Sequence, residues 1–137
     1  MKTLTVKQPY ASLISHGLKK YEFRNFVTHY RGPIYIHASK VPDHQALLKV
    51  QHLVSEFPNQ VIVAQANLVN CILVNKELLI KLKRNNPNIY TDAIDKYKYA
   101  WVLEDIKPIY STLKIKGQLG LWNYSINKGE EHGSKSN

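Results

Sequence analysis

A glycine, two lysines, a glutamate and an arginine fall within eight residues of this chain, in the stretch GLKKYEFR at positions 17–24. These residue types can do chemistry together. A carboxylate at Glu22 can hold the Lys19 and Arg24 cations in place, while the planar guanidinium of Arg24 suits a phosphate, a carboxylate or an oxyanion. An ammonium that is partly buried beside a second cation, such as Lys20 or Arg24, gives up its proton more readily, so Lys19 is a candidate base. The competing account is an ion pair on a solvated strand face, worth about 0–1 kcal/mol.

The elements that must position these groups can be read on either side. Leu4 and Val6 alternate with Thr5 and Lys7, which predicts a short first strand. Pro9, then Tyr10, Leu13 and Ile14 at helical spacing, then Gly17 as a left-handed terminator, predict a two-turn helix over 9–16. His16 falls in its last turn, where a donor near the terminal carbonyls is the simplest role. From Lys20 to Phe26 the period returns to two, with Tyr21 and Phe23 on an inward face and Lys20, Glu22 and Arg24 opposite. A helix thus hands over to a strand where the charges converge.

Further along, GPIYIHAS predicts a strand with Ile34, Ile36 and Ala38 on one face and Tyr35, His37 and Ser39 on the other. His37 could serve acid/base chemistry, though a hydrogen-bonded structural histidine fits the pattern better. Pro42 and Asp43 announce a helix whose stripe is Ala46, Leu47, Val50, Leu53, Val54 and Phe57, leaving His44 and His52 facing solvent. Residues 61–74 form a long β-branched run that should bend or bulge and be covered on both faces. A short amphipathic helix at 76–83, a loop at NNPNIYTD, a strand at 97–105 and a strand in KGQLGLWNY complete the series.

At 137 residues one domain over 1–124 is expected, followed by a tail at 125–137 with one apolar residue in thirteen. The single cysteine, Cys71, excludes an internal disulfide framework and sits in an apolar setting that suggests a buried thiol and a reducing compartment. No signal-peptide core and no membrane-length apolar run appear, so a cytoplasmic location is expected. No His/Cys/Asp/Glu cluster has metal-ligand spacing, and no phosphate loop, nucleophile elbow or zinc-protease motif occurs; no metal and no cofactor are expected. The net charge is +9, and residues 1–40 hold seven Lys and Arg against one Glu. Such a distribution attracts polyanions, chiefly nucleic acid.

The spacing Gly17-x-Lys19-x-x-Glu22-x-Arg24 resembles the signature of the ASCH family, a branch of the PUA-like superfamily. Three further blocks agree in order: LTVKQPYASLI before it, YAWVLEDI at 99–106 and GQLGLW at 117–122. The resemblance implies an α+β fold, a small PUA-like β-barrel flanked by helices, with the signature lining a cleft beside it. It also implies RNA-associated function. Some small ASCH-like proteins are instead amidohydrolases of acylated cytidine that use a lysine and a threonine, and Glu22 stands here at the threonine position. A carboxylate is a poor substitute for a hydroxyl nucleophile.

Two functions follow as expectations. One is binding of RNA or other single-stranded nucleic acid, or of a nucleotide-like small molecule, in a basic cleft with interleaved aromatics. The other is a small hydrolase of a nucleoside, nucleotide or RNA, with Lys19, Glu22 and Arg24 catalytic. Family-like blocks and strand-face parity add Gln8, Tyr10, Ser12, Lys20, His37, Lys40 and Trp101 to the expected ligand-binding set. Oligomeric state is not legible.

Overall fold

A computed structural model describes residues 1–125; the tail expected from residue 125 lies, beyond Ser125, outside them. Six strands, β1 (Lys2–Val6), β2 (Tyr21–Arg24), β3 (Gly32–Ala38), β4 (Ile62–Leu73), β5 (Tyr99–Pro108) and β6 (Leu121–Asn123), form one sheet in the order β2-β5-β4-β3-β1-β6. Only β1 and β3 run parallel; every other pair is antiparallel. The sheet curls into a half-barrel and carries three helices, α1 (Tyr10–Ser15), α2 (His44–Val50) and α3 (Lys76–Asn85), so the expected α+β barrel-like fold is borne out. The curl leaves an opening. Strand β2 pairs only with β5, and the far end of the sheet is β1 with β6.

Helix α1 starts after Pro9 and stops at Gly17, whose φ of +74° supplies the left-handed turn read from the sequence. Its five residues Ala11 to Ser15 are all buried. Ala11 and Ile14 pack with Leu4, Val6, Ile36 and Trp101, whereas Leu13 packs with Phe23, Val50, Leu82 and Tyr90. One short helix therefore joins two apolar clusters, and the turn after it is fixed on both sides. The Leu18 and Lys19 amides both donate to the Leu13 carbonyl, at 2.9 and 3.2 Å.

Strand β4 does bulge, with register shifts against β5 at Gln65/Asn67 and Leu68/Asn70. Its second half is less covered than expected, since Val69 and Leu73 are exposed and Cys71 is half-buried. Helix α2 is shorter than its apolar stripe suggested. It ends at Val50, and Val54 reaches the second cluster from the following loop while Leu53 is exposed. The segment read as a plain loop, NNPNIYTD, buries Ile89 and Tyr90 and leads into a 3-10 helix at Asp92–Lys96. No helix among the described residues is long and apolar enough to cross a membrane.

The connection from β5 to β6 crosses the open end. His37, fully buried, meets it with Nε2 2.7 Å from the Ile115 carbonyl oxygen and Nδ1 3.2 Å from Thr5 Oγ1. Gly117 fits there because a Cβ would lie 2.9 Å from Thr5 Cγ2 and 3.1 Å from His37 Cε1. Gly117→Ala is therefore expected to overpack this junction and cost about 1–3 kcal/mol in urea unfolding. Unchanged stability would show that the crossing is held elsewhere.

Candidate functional site

Both faces of β2 are covered, and this corrects the expected division into an aromatic inside and a charged outside. Phe23 is 5% exposed, Glu22 7% and Lys19 2%. Burial disposes of the solvated ion pair. The physical reason is position: β2 is the edge strand at the opening of the half-barrel, and its charged side faces across the gap toward β1.

The carboxylate of Glu22 is divided between two cations. Lys19 Nζ donates to its Oε1 at 2.7 Å, and Arg24 donates to its Oε2 from Nε at 3.2 Å and Nη2 at 3.0 Å. Arg24 Nη2 also donates to the Thr5 carbonyl at 2.8 Å, which ties edge strand β2 to β1 across the opening. Lys19 Nζ further donates to the Tyr21 carbonyl. The rings of Tyr10, Phe23 and Tyr90 surround the same ammonium, their centroids 5.5, 5.9 and 5.8 Å away. Cation–π attraction replaces part of the lost hydration.

These environments shift the titrations. Burial lowers the Lys19 pKa below the usual lysine range, against the opposing pull of Glu22. For Glu22 burial would push the carboxyl up, but the charges and hydrogen bonds of Lys19 and Arg24 prevail and hold it low. Tyr10 is pushed up to about 12 by burial and the neighbouring Asp43 charge. The arrangement keeps the Glu22 carboxylate ionised and the Tyr10 hydroxyl protonated at neutral pH.

A cavity of about 440 Å³ opens over this group. Of the ten residues expected to bind, it brings together Tyr10, Lys19, Glu22 and Arg24. The other six lie outside its lining. Gln8 and Ser12 are buried and bonded to each other, with Gln8 Nε2 2.7 Å from both Ser12 Oγ and the Pro58 carbonyl oxygen. Trp101 is fully buried and donates to the Phe26 carbonyl at 2.9 Å, and His37 is occupied as described. Lys20 and Lys40 are exposed. Strand parity failed for His37 and Trp101 because both faces of their strands are covered.

Sequence reading missed Thr5, Lys7, Ser39, Asp43, Lys96, Tyr97 and Gln118 in the lining. Gln118 stands within the GQLGLW block, and the sequence around Asp43 signals only a helix start. Asp43 does cap α2, accepting from the Ala46 amide at 3.1 Å. Nothing in the local pattern of Lys96 and Tyr97 signalled a wall, since they enter through the 3-10 helix and the turn after it.

Removing the shared carboxylate leaves the two cations without a counter-charge, so Glu22→Ala is expected to cost about 3–5 kcal/mol in urea unfolding. The pH dependence has a definite sign. Glu22 titrates lower folded than unfolded, so its stabilisation is present above the ordinary carboxylate range and drains away as pH falls through the folded pKa. Thermal melts taken downward from pH 7 should show this acid loss, and Glu22→Gln should flatten it. Identical acid limbs for both proteins would contradict the assignment.

No curated protein matches the chain. Among solved structures it is similar to the ASCH protein of Zymomonas mobilis, with a TM-score of 0.55 at 16% identity over 98% of this chain and 93% of that one. A tyrosine-to-phenylalanine mutant of that protein aligns with a TM-score of 0.51 at 17% identity, over 84% and 74% of the two chains. At such identities the likeness establishes the fold. The profile of the ASCH domain matches residues 4–112, so the chain belongs to the ASCH domain family.

Proposed function

We propose that this protein binds single-stranded RNA, or single-stranded nucleic acid more generally, by admitting one nucleotide into the cleft at the opening of the half-barrel. The observation that carries this reading is the guanidinium of Arg24. Its Nε and Nη2 are committed to Glu22 and Thr5, whereas Nη1 has no protein partner among the described residues. It lines a cavity of about 440 Å³, inside the range of about 300–1,000 Å³ usual for small-ligand sites. A pinned arginine with donors to spare is a ready phosphate contact.

The lining supports the same conclusion. Lys7, Lys19, Arg24 and Lys96 face it against Glu22 and Asp43 alone, within a chain of net charge +9. Tyr10 and Tyr97 add aromatic surface on which a base can stack. Membership of the ASCH family fits an RNA-associated role. Lys7 and Lys96 are exposed and outside the buried charge group, so Lys7→Ala and Lys96→Ala should leave folding unchanged. Each should reduce the slope of log Kd against log salt for a short single-stranded RNA by about 1. Salt-independent binding would overturn the reading.

One observation favours a second reading, hydrolysis of a nucleoside or RNA. Burial lowers the pKa of Lys19, as a general base requires, and Thr5 and Ser39 line the same cavity. Lys19 is nevertheless bonded to Glu22 and Tyr21 and caged by three rings, which suits a positioning cation better than a mobile base. Turnover of acylated cytidine or RNA by the parent protein, lost in Lys19→Arg while RNA binding persists, would establish the hydrolase. Absence of turnover across nucleosides, nucleotides and short RNAs would exclude it for those substrates.

A further inference from the structure

The open edge of β2 offers the cleft more than side chains. The register pairs Tyr21 with Val102, Glu22 with Trp101, Phe23 with Ala100 and Arg24 with Tyr99, and the Leu103 amide donates to the Lys20 carbonyl at 2.8 Å. Hydrogen-bonded and non-bonded pairs alternate along an antiparallel ladder. Residues 20, 22 and 24 therefore bond to β5, and the main-chain groups of Tyr21 and Phe23 point away from it. Tyr21 shows the alternation directly. Its carbonyl accepts from Lys19 Nζ and its amide donates to Tyr90 Oη at 3.4 Å.

Phe23 presents the same pair of groups, one N–H and one C=O, on the same side, and Phe23 lines the cavity. Among the described residues no group outside the β2–β5 ladder takes either of them. With Phe23 only 5% exposed, leaving this donor and acceptor unpaired is costly, and a ligand that completes them gains correspondingly. An added peptide strand is a poor occupant, because it needs open groups at every second residue and those of Tyr21 are already taken. A single planar heterocycle with an adjacent donor and acceptor fits.

We propose that the Phe23 main chain reads the Watson–Crick edge of one unpaired base, which rests on the nucleic-acid reading above and adds to it how the base is held. Every base carries a neighbouring donor and acceptor on that edge, so the contact tolerates all four bases while requiring that the edge be free. A base already paired in a duplex cannot enter. Recognition through main-chain atoms also means that no side-chain substitution at position 23 removes it without removing core packing.

The test therefore alters the ligand. Ten-residue single-stranded RNAs of uridine, 5-methyluridine and 3-methyluridine are compared by fluorescence anisotropy at one salt concentration, with a mixed-sequence RNA alongside. The two methylated forms have equal charge and size, but only the 3-methyl group blocks the Watson–Crick edge. Uridine and 5-methyluridine are expected to bind alike and 3-methyluridine at least about tenfold more weakly. Equal binding of all three would overturn the Phe23 contact while leaving RNA binding intact. Binding of the mixed sequence without the uridine RNA would also overturn it, since this contact accepts every base. Failure of every RNA to bind would overturn both this inference and the reading beneath it.

Discussion

The carboxylate of Glu22, shared between Lys19 and Arg24, is the interaction on which the rest of this structure depends. The Lys19 and Glu22 charges are withdrawn from water at the mouth of a half-barrel, with Arg24 partly exposed beside them, a placement that is unfavourable unless the buried charges are compensated. Lys19 is compensated by Glu22, a main-chain carbonyl and three aromatic rings; Arg24 is compensated by Glu22 and Thr5. Because the group reaches from the turn after α1, through β2, to β1, it also fixes the distance across the opening. Stability and site geometry are set by the same bonds.

The opening itself follows from topology. A sheet whose order ends at β2 on one side and at β1 with β6 on the other must either close or cover its edges. Here the two ends are bridged by a side chain instead of a strand ladder, and the space left between them is the cleft. Helix α1, buried along nearly its whole length, holds the two apolar clusters together and aims the turn that carries Lys19. The crossing from β5 to β6, tied down at His37 and Thr5, brings Gln118 and Leu119 over the other rim. A polar gap between apolar walls results, and the cations outnumber the carboxylates in it.

Much of this was legible in the chain. The Gly17-to-Arg24 spacing, the helix before it and the strand through it are local features, and local patterning reports them well: Gly17 is left-handed and β2 carries Glu22 and Arg24 on one side. The half-barrel was accessible through four ordered blocks and the long bulged run that became β4. What failed was inference from parity about exposure. Period two says which residues share a face; it does not say that His37 or Trp101 faces a partner layer, or that the charged face of β2 is buried. Tyr90 and Tyr97 are legible only once the 3-10 helix is seen beside the edge of β2, because their roles arise from contacts about seventy residues away in sequence, such as Tyr21 with Tyr90.

A site that is cationic and open on one side suits recognition of a strand passing over it, with one nucleotide drawn in. An NMR titration of ¹⁵N-labelled protein with a short single-stranded RNA tests this most directly. The largest shift changes are expected at the amides of Phe23, Arg24, Tyr97 and Gln118 and at the Arg24 side-chain N–H groups, with α3 and the exposed half of β4 unchanged. Shifts centred on α3 or on that half of β4, with the β2 edge silent, would contradict it.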